Sequence, residues 1–111
     1  MEEEVLSITS VEQLENLLRD HRKRKGLLLL FKHSTACPIS ASALEEVRTF
    51  CREKPAGLKV AMVLVIEHRQ VSNAVAKRFQ VQHQSPQVLL IEGGRVKWHT
   101  SHRNITRDRL L

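Results

Sequence analysis

The sequence predicts a mixed α/β fold in which one central sheet is flanked by helices. Apolar runs of strand length alternate with segments whose apolar residues recur at helical spacing. A two-glycine turn signal, Gly93-Gly94, joins the last two strand-like runs. Helical crossovers imply parallel pairing and a tight turn implies antiparallel pairing, so the sheet must contain both. The predicted order is β-α-β-α-β-α-β-β-α, and a chain of 111 residues corresponds to one domain over residues 1–111.

Local signals define the first strand and the first helix. Residues 6–8 are predicted to form a short edge strand. Ser10 and Gln13 have the spacing of a capping box and precede apolar residues at helical spacing. We expect this helix to reach the basic run 22–25 and to end at Gly26, since glycine is a common C-terminal signal.

The next strand and helix are the most strongly patterned part of the chain. Residues 27–31 are a continuous apolar run, which is typical of a central strand covered on both faces. A loop over residues 33–36 is predicted to follow, and Pro38 then stands where helices tolerate proline best, in the first turn. Pro55 and Gly57 are expected to stop this helix.

The second half of the chain predicts four further elements. Residues 58–66 are rich in valine and predict a buried strand, and residues 71–79 predict an amphipathic helix. Residues 88–91 and 96–98 predict the two strands of the hairpin. A short final helix is expected after Asn104, which is a suitable N-cap residue.

Composition limits the classes of function that need to be considered. No apolar run approaches the roughly 20 residues of a membrane-spanning helix. The acidic residues 2–4 at the N-terminus are unlike a secretory signal, so we expect a cytoplasmic protein with no membrane partner. Two cysteines in such a chain are more typical of core residues or reactive thiols than of a structural disulfide. The formal net charge of +6 favours anionic ligands without identifying one.

Cys37 is the strongest candidate for a catalytic residue. It lies between a predicted buried strand and a predicted helix, where unpaired backbone N–H groups and the helix dipole stabilise a thiolate. Only the thiolate attacks a disulfide. Pro38 fixes the turn, and Ser40 lies on the same helix face and can donate its hydroxyl to the sulfur. Cys51 is about four helical turns away, roughly 21 Å, so it cannot form a disulfide with Cys37 in the folded chain.

These residues carry a resemblance to a known family. The string Cys37-Pro38-Ile39-Ser40, its position after Lys32-His33-Ser34, and the later Ser85-Pro86 resemble the thioredoxin superfamily, and most closely the monothiol bacilliredoxins of the YtxJ type. The resemblance implies a thioredoxin-like fold. It also implies that Pro86 is the cis-proline of the superfamily and that the backbone of Ser85 pairs with the bound disulfide.

The resemblance further implies an activity and its partners. A monothiol bacilliredoxin removes bacillithiol, a small thiol that carries a sugar and malate, from mixed disulfides on client proteins. Cys37 would be the nucleophile and bacillithiol a co-substrate, with no bound cofactor. Ser40 replaces the second cysteine of thioredoxins, and no carboxylate occurs within residues 27–31, where thioredoxins keep one. Both departures fit a mechanism with one thiol, and we expect a monomer.

Basic side chains are candidates for holding the malate carboxylates. Lys32 and His33 are the first choice because they lie near Cys37 in the sequence, and His83 and Arg95 are further candidates. The substrate-binding prediction therefore comprises Lys32, His33, Pro38, Ser85 and Pro86.

Other functions remain as alternatives. The chain could be a glutaredoxin-like protein that uses another low-molecular-weight thiol, or an interaction module of thioredoxin fold without catalysis. Nucleic-acid binding is disfavoured because the chain has no tyrosine and only 4% aromatic residues, and because a basic run closes a helix favourably in any case. No metal site is expected, since the six histidines show no paired ligand spacing.

Overall fold

One mixed sheet organises the computed structural model, which describes residues 5–24 and 26–110. Its strands are, in chain order, β1 (Val5–Ser7), β2 (Leu27–His33), β3 (Leu58–Leu64), β4 (Gln87–Glu92) and β5 (Arg95–Ser101). The five strands are arranged in the order β1-β3-β2-β4-β5. β1, β3 and β2 are parallel, and β4 and β5 are antiparallel to their neighbours. The predicted mixed α/β sheet, its element order and the edge position of the first strand are confirmed.

Helices cover both faces of this sheet. They are α1 (Val11–Lys23), α2 (Pro38–Glu53), α3 (Arg69–Phe79) and the short α4 (Arg107–Leu110), which follows a 3₁₀ turn at His102–Asn104. α1 and α3 pack on the face to which Leu28 and Leu30 point. α2 and α4 pack on the face to which Leu29 and Phe31 point. Both faces of β2 are therefore buried, as its continuous apolar run predicted.

The ends of α1 show how local signals act. Ser10 is the N-cap, and its Oγ accepts a hydrogen bond of 3.1 Å from the Gln13 N–H. The Gln13 side-chain oxygen accepts a hydrogen bond of 2.7 Å from the Thr9 N–H. In a capping box it would accept from the N–H of the N-cap residue, which is one position later. The helix ends at Lys23, and Lys25 of the predicted basic run lies outside the described residues, as do residues 1–4.

β2 is longer than its apolar run, and this corrects the predicted loop. Lys32 pairs with Val63 and Gln87, and His33 pairs with Leu64, so the strand continues for two residues beyond Phe31. The polar residues are in the sheet because neighbouring strands on both sides satisfy their backbone groups. The loop before α2 begins only at Ser34.

Two other predicted bounds are wrong. β3 ends at Leu64, two residues before the predicted end. Asn104 does not cap the final helix, because it is the last residue of the 3₁₀ turn. Thr106 precedes α4 instead, and its Oγ1 accepts from the Arg109 N–H at 3.2 Å. The glycine turn is confirmed, since Gly93 and Gly94 have φ of 61° and 80°.

Among the described residues, no helix combines the length and the apolar character that crossing a membrane requires.

Candidate active site

Cys37 lies between β2 and α2, where the sequence predicted it. It is the N-cap residue of α2 with φ −119° and ψ 121°, and Pro38 occupies the first helical turn. The Ala41 N–H donates to the Cys37 carbonyl at 3.0 Å, which begins the helix. The Cys37 side chain is half-buried and makes no capping hydrogen bond. The sulfur is therefore open to a reaction partner and next to the unpaired N–H groups of the first helical turn.

Ser40 is completely buried beneath this turn, with 0% of its surface exposed. Its Oγ accepts a hydrogen bond of 2.9 Å from the Ser34 N–H and lies 2.7 Å from His33 Nδ1. A hydroxyl has one proton and two acceptor sites. If His33 carries its proton on Nδ1, both acceptor sites of Ser40 are filled, and neither of these bonds uses the hydroxyl proton.

His33 is part of the site, but it is not in a surface loop as predicted. Only 6% of it is exposed, and its ring stacks on Phe31 with a centroid distance of 5.6 Å. Burial lowers the pKa of His33 below its ordinary value, and the charge of Arg48 adds to this, although the charge of Glu67 and a hydrogen bond with the Ser40 backbone oppose it. The imidazole is therefore neutral near neutral pH, and one of its two nitrogens carries the proton.

Lys32 points to the opposite face of the sheet, and this corrects the prediction that it belongs to a basic surface. Its exposed fraction is 0%. Its Nζ lies 3.2 Å from His83 Nδ1, and Ser72 Oγ lies 3.3 Å from the same nitrogen. Burial lowers the pKa of Lys32 from 10.5 to about 8. In this position, Lys32 cannot contact a carboxylate at the surface, and His83 is occupied by Lys32.

Ser85 and Pro86 lie directly before β4, at the edge of the sheet that the C-terminal end of β2 forms. The peptide bond between them is cis, as the resemblance implied. The pairing of Lys32 with Gln87 brings the start of β4 beside the end of β2, and hence beside the loop that leads to Cys37. The Oγ of Ser85 is buried and has no hydrogen-bond partner among the described residues. The resemblance implied that Ser85 and Pro86 lie at the same edge of the sheet as Cys37, and the structure places them there.

Arg95 does not belong to this edge. It begins β5 and pairs with Glu92, whereas Ser101 at the other end of β5 pairs with Gln87. A strand of this length separates its ends by about 20 Å. Arg95 therefore lies at the far end of the sheet from Cys37, and the prediction that it lies near the thiol is wrong.

Three residues that sequence reasoning did not single out contribute to the site and its surroundings. Ser34 fixes Ser40 through its N–H, as described above. Thr35, in the loop before Cys37, donates from Oγ1 to Glu67 Oε2 at 3.0 Å and so ties that loop to the segment after β3. Ser72 supports the Lys32–His83 pair. Only the short polar run 33–36 was visible in the sequence, because the other partners come from distant segments.

A groove lies along the first turns of α2, and its lining begins at Pro38, the residue after Cys37. Its volume is about 290 Å³, and Pro38 and Ile39 form one wall while His102 and Arg103 of the 3₁₀ turn form the other. The described residues hold no cluster of three or more histidine, cysteine or acidic side chains that could bind a metal ion. Within the described residues, neither Cys37 nor Cys51 forms a disulfide.

The arrangement defines a class of protein. A half-exposed cysteine at a helix start and a cis-proline at the same edge of a mixed sheet are arranged as in proteins of thioredoxin fold. A solved structure described as having a thioredoxin fold is 28% identical to this chain, with a TM-score of 0.83 over 96% of this chain and 89% of that one.

Two further solved structures share the fold at lower identity. A thioredoxin from Trypanosoma brucei brucei is 18% identical with a TM-score of 0.76, over 99% of this chain and 87% of the other. A thioredoxin from Nicotiana alata is 15% identical with a TM-score of 0.79, over 99% of this chain and 89% of the other.

The family follows from the sequence profile that matches. The profile of the monothiol bacilliredoxin BrxC family matches residues 6–110, which is nearly the whole chain. The chain therefore belongs to the monothiol bacilliredoxin family.

Proposed function

We propose that this protein removes bacillithiol from mixed disulfides on client proteins, with Cys37 as the nucleophile. The observation that carries the proposal is the half-exposed Cys37 at the start of α2 with Ser40, and no second cysteine, in the last position of the motif. A site with one thiol can accept the small thiol but cannot expel it by itself. Membership of the monothiol bacilliredoxin family supports bacillithiol as that thiol.

The reaction is an exchange of one disulfide for another. The Cys37 thiolate attacks the bacillithiol sulfur of the mixed disulfide. The bond between bacillithiol and the client breaks, a bond between Cys37 and bacillithiol forms, and the client sulfur leaves as a thiolate that takes up a proton. No net oxidation occurs. Cys51 lies about 21 Å along the helix, so a second thiol from solution must attack the Cys37 adduct to regenerate the protein.

Ser40 and His33 have supporting roles in this proposal. In the tautomer proposed here, the Nδ1–H of His33 donates to Ser40 Oγ, which lies 2.7 Å away and also accepts from the Ser34 N–H. The Ser40 hydroxyl proton, which neither bond uses, would then turn towards the Cys37 thiolate. Hydrogen bonds to a charged group contribute about 1.5–3 kcal/mol each, so this arrangement favours the reactive form. His33 acts here as a positioning residue, since it reaches the sulfur only through Ser40.

The client chain is proposed to bind at the neighbouring edge. The backbone of Ser85 would pair with the segment that carries the disulfide, as an added strand does at an open sheet edge. Pro86 and Pro38 would form the two sides of the position that the disulfide occupies. The partners proposed are bacillithiolated cytoplasmic proteins and a low-molecular-weight thiol, and the protein is proposed to act as a monomer without nucleic acid or membrane.

The test compares three forms of one client protein, carrying bacillithiol, glutathione or a neutral small thiol in the same mixed disulfide. We expect the wild-type chain to release the client thiol fastest from the bacillithiol form, and the Cys37→Ser variant to be inactive on all three. A matched Cys51→Ser variant should keep the wild-type rates. Equal rates on bacillithiol and glutathione would indicate the glutaredoxin-like alternative. Binding of client without release would indicate the non-catalytic interaction module.

A further inference from the structure

The groove beside Cys37 has one wall made of two basic residues that the sequence did not single out. Pro38 and Ile39, which directly follow Cys37, line it on the side of α2, and His102 and Arg103 line it on the side of the 3₁₀ turn. The groove therefore begins at the residues that follow Cys37 in the chain, close to a small molecule bonded to the Cys37 sulfur.

The 3₁₀ turn is anchored to the same edge of the sheet as the thiol. The His102 N–H donates to the Pro86 carbonyl at 2.9 Å, and the Ile105 N–H donates to the His102 carbonyl at 3.2 Å. Ile105 is 2% exposed and part of the core. These contacts hold the backbone of His102 and Arg103 at a defined position relative to Pro86.

Arg103 is a cation without a partner within the described part of the chain. Its side chain is exposed and takes part in no ion pair or hydrogen bond there. Arg107, the next arginine along the chain, is by contrast engaged by Glu53 and Asp108. The guanidinium of Arg103 is therefore available to a ligand in the groove.

Glu46 is the opposing charge. It also lines the groove, but its Oε1 accepts a 2.7 Å hydrogen bond from the Arg107 N–H, which directs the carboxylate towards the start of α4. Glu46 is thus engaged by the backbone of Arg107, whereas Arg103 has no partner among the described residues. Guanidinium groups bind carboxylates and phosphates through two parallel hydrogen bonds, so a carboxylate suits Arg103 as a ligand.

We propose that this groove is the subsite for the carboxylate-bearing portion of the small thiol, with Arg103 as the main contact and His102 as a second donor. The inference rests on the proposed function, in which bacillithiol becomes bonded to Cys37, and it assigns the malate carboxylates to Arg103 instead of the buried Lys32 and His33. The volume of about 290 Å³ lies just below the usual range of small-molecule sites, roughly 300–1,000 Å³.

The experiment measures kcat/KM for two mixed disulfides of one client, with bacillithiol and with 2-mercaptoethanol, which has no carboxylate. We expect Arg103→Ala to lower the value for bacillithiol about fivefold, as for an exposed ion pair, and Arg103→Glu to lower it further. Neither variant should change the value for 2-mercaptoethanol. Arg95→Ala, which removes an exposed arginine from the other end of β5, should change neither value.

The outcomes separate this inference from the proposed function. A loss of equal size on both substrates would show that Arg103 acts through the structure, and the subsite would be refuted. Wild-type rates for Arg103→Glu on the bacillithiol substrate would also refute it, while leaving the proposed function intact. If the wild-type chain transfers 2-mercaptoethanol but not bacillithiol, the proposed function fails and the subsite fails with it.

Discussion

Lys32 allows a prediction about stability whose magnitude follows from the structure. Its ammonium group is fully buried, and burial lowers the pKa from 10.5 to about 8. A shift of this size corresponds to about 3 kcal/mol of unfolding free energy lost while the group is charged. We therefore expect Lys32→Met to raise the free energy of unfolding by up to about 3 kcal/mol near pH 7. Methionine fills a similar space, and His83 keeps Ser72 as a hydrogen-bond partner.

The pH dependence has a defined sign. Between pH 8 and 10.5 the folded chain holds fewer protons on Lys32 than the unfolded chain does, so wild-type stability rises with pH in this range because of this group. Below pH 8 both states are protonated, and the full destabilisation is present. The stabilisation of Lys32→Met over the wild type should therefore be largest near pH 7 and should nearly vanish at about pH 10.5.

Urea unfolding of both proteins at about pH 7 and about pH 10 measures this difference. Both pH values lie above the ordinary pKa of histidine, and burial and the Lys32 charge lower the pKa of His83 further, so the titration of His83 contributes little to the comparison. Lys97→Met is the matched control, since the Lys97 side chain is 58% exposed and should show no pH-dependent gain. A Lys32→Met variant that is less stable than the wild type at pH 7, or a gain of equal size at both pH values, would refute the reasoning.

Three further predictions concern the site and one turn. Ser40→Cys should convert the monothiol site to a dithiol site, in which the new cysteine attacks the Cys37 adduct. After reaction with the client, the intact mass should then show a disulfide and no bacillithiol on the protein. A bacillithiol adduct that persists would contradict this. His33→Phe should slow the alkylation of Cys37 by iodoacetamide about tenfold at neutral pH. His33→Asn keeps an N–H donor and should not slow it. Equal alkylation rates for the two variants would exclude the proposed role of His33. Gly26→Ala should destabilise the chain by more than about 1 kcal/mol in urea unfolding, because its φ is +149° and a Cβ would lie 2.9 Å from the Gly57 carbonyl oxygen. Gly57→Ala separates backbone strain from the clash, since its φ is +89° but a Cβ there meets no atom within 4 Å. A loss in Gly57→Ala as large as that in Gly26→Ala would contradict the steric argument.

The sequence was sufficient to predict an element where its local signals and its apolar pattern indicate the same structure. The apolar run 27–31 followed by Cys37-Pro38 predicted a buried strand that leads to a helix start, and this junction alone located the reactive thiol. Gly93-Gly94 predicted the hairpin because both positions require a positive φ. Such features depend on a few neighbouring residues, so they can be recognised without knowledge of the fold.

The environment of Lys32 and His33 could not be predicted in the same way. Charged and polar side chains are usually exposed, so the strand was expected to end at Phe31. Their burial depends on Ser40, Ser72 and His83, which lie up to 51 residues away along the chain and meet them only after folding. The polarity of a side chain alone therefore does not show whether it is buried with hydrogen-bond partners from distant segments.

The basic wall of the groove was missed for a related reason. Residues 102–104 were expected only to precede the last helix, and no local pattern marks them as part of a site. They lie beside Pro38 because β5 runs antiparallel to β4 and ends at the edge where β2 ends. This proximity could be predicted only from the complete order of the strands in the sheet.

The most direct test of the monothiol mechanism at Cys37 is the intact mass of the reduced protein after incubation with a bacillithiolated client. We expect the mass of bacillithiol to move from the client to this chain. The same transfer should occur with the Cys51→Ala variant and should be absent with Cys37→Ala. If no mass is transferred, or if Cys51 proves to be the acceptor, the monothiol mechanism at Cys37 is contradicted.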